Sequence, residues 1–247
     1  MQLKDFHYNL PSELIARYPL TERTASRLLC LENSIISHRQ FTDLPELLLP
    51  GDLLIFNDTR VIPARLYGQK STGGHIEILI ERIIDTHHAL AHIRASKSPK
   101  PGMLLFISGP NPENEPLSIT VRGRQNDLFE LAFPEPVLDI LNTVGHIPLP
   151  PYISREEELS DKERYQTVFA RREGAVAAPT ASLHFDEILL NTLKAKKIEM
   201  AFVTLHVGSG TFQPVRTNYI TDHKMHAEYM EISEEVCIQI RAAKKRG

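Results

Sequence analysis

Two blocks concentrate the residues able to do chemistry, Gly174-Ala175-Val176-Ala177-Ala178-Pro179-Thr180-Ala181-Ser182-Leu183-His184-Phe185 and Ala201-Phe202-Val203-Thr204-Leu205-His206-Val207-Gly208-Ser209-Gly210-Thr211-Phe212-Gln213-Pro214-Val215. Histidine changes charge near neutral pH, so His184 and His206 are the candidates for proton transfer. Gly208 and Gly210 frame a short turn after an apolar run, which permits close backbone approach to a ligand. The turn lacks the spacing of a P-loop or a dinucleotide fingerprint, and a plain tight turn explains it equally well. Ser182 sits in Thr-Ala-Ser-Leu-His rather than Gly-x-Ser-x-Gly, which argues against a serine hydrolase. His184, His206, His223 and His226 raise the question of a metal. No HExxH, CxxC or acidic cluster accompanies them, so no metal site is assigned and hydrogen-bonding or substrate-facing histidines are preferred.

Each block reads as a buried strand entering a polar loop, with Asp186 capping a helix over Glu187–Lys197 between them. Strand, helix, strand is the βαβ unit of a parallel sheet, whose ligands sit beyond the carboxyl ends of the strands. Both loops are therefore expected at one mouth. A further strand, Leu53–Phe56, runs into Asn57-Asp58-Thr59-Arg60-Val61-Ile62-Pro63-Ala64-Arg65-Leu66. There Asn57, Thr59, Arg60 and Arg65 offer amide, hydroxyl and guanidinium groups at a strand end, although Asn-Asp-Thr is also ordinary turn chemistry. Near the start, Ser12 is expected to cap a short helix over Glu13–Arg17, ahead of a strand at Leu28–Leu31. Arg23 and Arg27 either hold an anion or pair with Glu22 and Glu32, and spacing alone favours pairing.

Between Val61 and Phe133 the texture changes to strands without helices, expected at Ile76–Ile84, Ala89–Ala95, Met103–Ile107, Leu117–Arg122 and Leu128–Phe133. Turn-rich joints separate them, among them Gly109-Pro110-Asn111-Pro112. This predicts a β-barrel inserted into an α/β domain. The expected fold class is α/β, an α/β barrel-like main domain made of residues 1–60 and 148–247 with an all-β domain at 61–147. A helix is expected over Pro136–Val144, and a Ser160-Asp161-Lys162-Glu163 capping box predicts another through Ala170, placing Tyr165 and Gln166 on its early turns. Late in the chain come a strand over His226–Ile232 and a helix from Glu234, capped by Ser233. The ending Lys244-Lys245-Arg246-Gly247 reads as a helix terminus about to turn into another strand, so the chain is expected to lack a C-terminal part.

With a formal charge of −3 the protein has no global basic field, so a polyanion would need local patches such as Arg60/Arg65, Lys97/Lys100, Arg122/Arg124 or Arg171/Arg172. Cys30 and Cys237 form no zinc or redox spacing and suit a reducing compartment. There is no signal-peptide core and no apolar run near the ~20 residues of a membrane span, so a cytoplasmic protein is expected. A monomer is expected too, since no coiled-coil seam or apolar edge stands out.

The Asn57–Leu66 segment, Pro148-Leu149-Pro150-Pro151-Tyr152-Ile153, Arg164-Tyr165-Gln166-Thr167-Val168-Phe169-Ala170 and the two opening blocks together resemble one family. It is the S-adenosylmethionine:tRNA ribosyltransferase-isomerase family of queuosine biosynthesis. Asp5–Pro11, Ser26-Arg27-Leu28-Leu29 and His226-Ala227-Glu228-Tyr229 match as well, so the resemblance runs from end to end. Ser182 stands where the family usually has Gly, and family members continue for roughly another hundred residues, the size of a further domain portion.

The resemblance implies transfer of the ribosyl part of S-adenosylmethionine to 7-aminomethyl-7-deazaguanine in the wobble position of a tRNA with a GUN-type anticodon. Isomerisation then gives epoxyqueuosine-tRNA, with release of adenine and methionine. S-adenosylmethionine is a consumed co-substrate, and no resident cofactor is implied. Such chemistry needs a base for the proton beside the sulfonium and an acid or donors for departing adenine, roles open to His184 or His206. Thr180, Thr211 and Gln213 would contact the adenosyl or methionyl part, and Arg60 and Arg65 a carboxylate or phosphate. Tyr165 or Phe212 would stack on a flipped base. Two other classes compete: a non-catalytic tRNA-binding module, and a metal hydrolase using the four histidines.

Overall fold

Alternation along one strand organises the largest core. In the computed structural model, which describes residues 1–109 and 116–246, Ile76, Ile78 and Ile80 point inward at 4%, 0% and 0% exposure. Glu77, Leu79 and Glu81 between them are half-buried, the period-two pattern of a strand with one fully buried face.

The chain begins with 3-10 turns, Ser12–Leu14 standing where a longer helix was expected. A hairpin follows, β1 (Arg27–Glu32) and β2 (Ile35–Gln40), closed by Asn33 and Ser34 at positive φ as a two-residue turn requires. It carries Leu29, Leu31, Ile35 and Ile36 on the surface, so an apolar edge does stand out, contrary to the premise of the monomer expectation. After α1 (Leu44–Leu47), β3 (Leu53–Asn57) and β4 (Thr59–Val61) form a nearly continuous run.

Next comes a closed antiparallel barrel of β5 (Arg65–Lys70), β6 (His75–Asp85), β7 (His88–Ala95), β8 (Leu104–Ile107), β9 (Leu117–Gln125) and β10 (Leu128–Ala132), in the order β10-β7-β6-β5-β8-β9. The fold class is thus mixed α/β with a six-stranded closed barrel. Closure removes unpaired sheet edges, and α2 (Val137–Val144) adds Val137, Ile140 and Leu141 to the barrel core. β5 was not among the expected strands, because Gly68 and Lys70 occupy inward positions and hide the apolar alternation. Lys70 is buried there with its Nζ donating to the Lys97 carbonyl at 3.0 Å. The expected joint at Pro110–Pro112 lies outside the described residues.

The helix expected through Ala170 is only α3 (Asp161–Arg164). Ser160 makes no side-chain cap, and the Gln166 amide instead pairs with both backbone groups of Val61, accepting from its N–H at 2.9 Å and donating to its C=O at 3.1 Å. That pairing draws the chain out of helix. The rest of the α/β part is β11 (Arg172–Ala175), α4 (Glu187–Ala195), β12 (Glu199–His206), β13 (Tyr229–Glu231) and α5 (Glu234–Arg246). Asp186 caps α4 as expected, accepting from the Leu189 N–H at 2.7 Å.

β11 pairs in parallel with β4, and β12 in parallel with β3 and antiparallel with β13. The strand–helix–strand order β11–α4–β12 is present, but the two strands lie in separate sheets rather than in the one parallel sheet expected; where they end, Val207 C=O accepts from the Val176 N–H at 2.8 Å. A second core of Phe41, Phe56, Phe169 and Phe185 with Leu189 and Leu193 joins α4 to this sheet; Phe185 meets both Phe41 and Phe56 edge-on at 5.0 Å. The strand expected over His226–Ile232 is confined to Tyr229–Glu231, and the turn expected at Gly247 lies outside the described residues. No described helix is long and apolar enough to cross a membrane.

Candidate functional site

β6 and α2 of the barrel face the β4, β11 and β12 ends across a cleft of about 790 Å³. Its barrel wall includes Glu81 and Arg82, and its opposite wall includes Arg60, Arg172, His206 and Tyr229. His206 is fixed on several sides. Its Nδ1 is 2.7 Å from Oγ1 of Thr59, which is fully buried, and its ring stacks on Tyr229 with centroids 5.4 Å apart. The Gly174 backbone lies against the ring: a Cβ there would sit 2.8 Å from Cε1 and Nε2. Only glycine combines that approach with the observed φ of +149°.

The electrostatics of the cleft favour an uncharged imidazole. Burial, and then the Arg172 guanidinium, push His206 below the usual histidine value, against the opposing pull of Asp58 and Glu231. Arg172 itself is paired with Glu231 at 2.6 Å, and the Tyr229 hydroxyl donates to the same carboxylate oxygen at 3.2 Å. With Nδ1 taken by Thr59, Nε2 is the nitrogen left for a ligand. A neutral, oriented imidazole beside arginines can remove a proton from a cationic substrate at neutral pH while a guanidinium holds a carboxylate or phosphate.

The structure separates several residues that the sequence grouped. His184 does not share this cleft. It lies against Phe41 and lines a second recess of about 680 Å³ with Tyr165 and Thr180, and the two recesses have no lining residue in common. The strand ends do lie side by side, but the 3-10 turn Thr180–His184 carries the first loop away from the second, so the expected single mouth is two. Arg60 lines the first cleft, 3.8 Å from Glu173, whereas Arg65 starts β5 and stands 3.3 Å from Glu77. The two arginines therefore serve different surroundings.

Asn57 and Gln166 are used in holding strands together. The Asn57 side chain donates to the Leu205 C=O at 2.8 Å and accepts from its N–H at 3.0 Å, continuing the β3–β12 pairing past the end of β3. At the Gly-rich turn, the Gly208 N–H donates to Glu228 at 2.9 Å and the Ser209 N–H to Glu81 at 2.8 Å. The His226 ring lies so close to Gly210 that any Cβ would collide with it. Close approach at this turn is thus made by the protein's own side chains. Phe212 packs on the barrel core and Tyr165 is enclosed by a cluster with Val61, Ile147 and Leu149, so neither ring is free to stack on a base as expected. Thr211 and Gln213 are exposed and line neither recess. Among the described residues no group of three or more His, Cys, Asp or Glu side chains is placed to hold a metal ion.

Sequence reasoning missed Glu81 and Arg82. The available signal was two adjacent charges interrupting the Ile76–Ile80 alternation, where the ladder shifts register between Ile80 and Arg82 and a bulge turns the side chains.

The chain is similar to an S-adenosylmethionine tRNA ribosyltransferase from Thermotoga maritima, with 30% identity over 98% of this chain and a TM-score of 0.41. The chain spans 66% of the length of that protein. The family model described as "Queuosine biosynthesis protein" matches residues 3–247, nearly the whole sequence, and the chain belongs to that family.

Proposed function

We propose that the cleft around His206 binds S-adenosylmethionine and that this chain takes part in transferring its ribosyl portion to a 7-deazaguanine base in tRNA. The observation that carries this reading is a His206 ring oriented by Thr59 and Tyr229 in a cleft shared with Arg60 and Arg172, where burial lowers its pKa. In this reading His206 takes the proton next to the sulfonium, an acidic carbon because the positive sulfur stabilises the carbanion. The sulfonium also favours a neutral base over a charged imidazolium. Arg60 or Arg172 meets the methionine carboxylate. The acceptor is the aminomethyl group of the base in a GUN-type anticodon, isomerisation completes the transfer, and adenine and methionine leave. S-adenosylmethionine is consumed, and no resident cofactor takes part.

The test is calorimetric titration with S-adenosylmethionine, followed by a tRNA-modification assay on wild type, His206→Ala and His206→Gln. Loss of the base is expected to lower turnover by about 10²–10⁴-fold while leaving much of the donor affinity. Near-wild-type turnover in both variants would remove His206 from the reaction. RNA binding without any affinity for S-adenosylmethionine would favour the alternative, a non-catalytic tRNA-binding module.

A further inference from the structure

The second recess has features that the first cleft does not use. Its floor includes Tyr165, only 7% exposed, whose hydroxyl has no hydrogen-bond partner among the described residues. The Ala178 N–H lies close enough to that oxygen to pull the phenol pKa down against the effect of burial. Burial raises the phenol to about 12, so it remains a proton donor. The oxygen itself is closed to solvent, so Tyr165 meets the recess through its other atoms. Above it stand His184 and the exposed ring of Tyr152, with apolar Leu149, Ile153 and Leu183 between.

Charge at this recess is positive, five arginines against Glu22 and Asp161. Three of the five are engaged by the protein. Arg155 chelates Asp161 at 2.6 and 2.7 Å, and Arg164 donates to the carbonyls of Leu20 and Thr21. Arg23 donates to the carbonyls of Glu163 and Leu183 rather than pairing with Glu22. These contacts tie residues 20–23 to the α3 region and make the wall a fixed one. Arg17 and Arg27 remain at the rim, exposed and without ion pairs among the described residues.

We propose that this second recess binds one nucleotide unit, its base between Tyr152 and the apolar wall and its phosphate at Arg17 and Arg27. An aromatic platform beside exposed guanidinium groups is the chemistry that holds unpaired nucleotides, and the volume is in the range of about 300–1,000 Å³ of small-molecule sites. The inference deepens the reading of the chain as acting on tRNA, since an RNA substrate would then be held at a second point away from His206.

The experiment titrates adenosine 5′-monophosphate and, separately, a tRNA anticodon stem-loop into wild type, Tyr152→Ala and Arg27→Ala, with S-adenosylmethionine titrated into each. Tyr152→Ala is expected to weaken stem-loop binding about tenfold by loss of stacking. Arg27→Ala should flatten the dependence of log affinity on log salt by about 0.7, one single-strand phosphate. S-adenosylmethionine affinity should not change. Losses seen with the mononucleotide alone would assign the recess to a free nucleotide, and losses with both to RNA. If Tyr152→Ala and Arg27→Ala leave both affinities intact, the proposal is overturned. Its failure is separable from failure at the first cleft, which is read by the His206 variants.

Discussion

Replacing Gly174 by alanine is expected to damage the His206 site more than its size suggests. The new Cβ would stand 2.8 Å from Cε1 and Nε2 and 2.9 Å from Cδ2 of the ring, roughly 0.7 Å inside ordinary carbon contact distance. The ring has little room to yield, being bonded at Nδ1 to fully buried Thr59 and stacked on Tyr229. Gly73 supplies the control: its φ is +85°, yet nothing lies within 4 Å of its Cβ position. Gly73→Ala therefore carries the backbone penalty alone, about 1–2 kcal/mol. Gly174→Ala carries a comparable penalty plus overpacking of about 1–3 kcal/mol. The difference should appear as a lower urea midpoint, and as a melting temperature lower by about 2–4 °C per kcal/mol in a chain of this size. The His206 ring signals, followed by NMR through a pH titration, should move in Gly174→Ala and not in Gly73→Ala. Equal stability losses with unchanged His206 signals would refute the picture of a ring clamped against Gly174.

Thr59→Val keeps shape and burial but removes the partner of His206 Nδ1, and is expected to cost about 1–2 kcal/mol and to lower turnover, with Thr59→Ser retaining most of both. Denaturant melts and the modification assay read the two effects, and a silent Thr59→Val would show that the contact does not orient the ring. Acid should also break the Arg155–Asp161 pair, whose side chains are 10% and 4% exposed, but only at low pH. The hydrogen bond from Arg155 holds the Asp161 carboxyl below the usual carboxylate range, so its contribution is present above an unfolded pKa of about 3.9 and is lost as pH falls through the lower folded value. Removing one partner, in Arg155→Met, should cost about 3–5 kcal/mol by chemical denaturation, more than replacing both by apolar residues; the reverse order would contradict the assignment of a buried pair.

Local pattern was enough where local physics decides. Ile76, Ile78 and Ile80 announce a strand because one-sided burial imposes a period of two, and Asp186 announces the start of α4 because the first N–H groups of a helix lack intrahelical acceptors. The resemblance of the motifs to queuosine biosynthesis proteins was likewise legible from residue order alone, and the family match bears it out. What sequence could not settle were contacts between distant segments. Gln166 looked helical, yet its amide pairs with Val61 across 105 residues and ends α3 early. Thr59 and Asn57 looked like turn residues beside a ligand, yet one fixes His206 across 147 residues and the other extends a sheet.

His184 and His206 sit in blocks of the same texture, and nothing in either block says that they line separate recesses. That was decided by the 3-10 turn after Pro179 and by where the barrel packs. A sequence pattern reports the backbone conformation and one-sided burial of its own segment, whereas a site is made by which remote side chains that packing brings within hydrogen-bond reach.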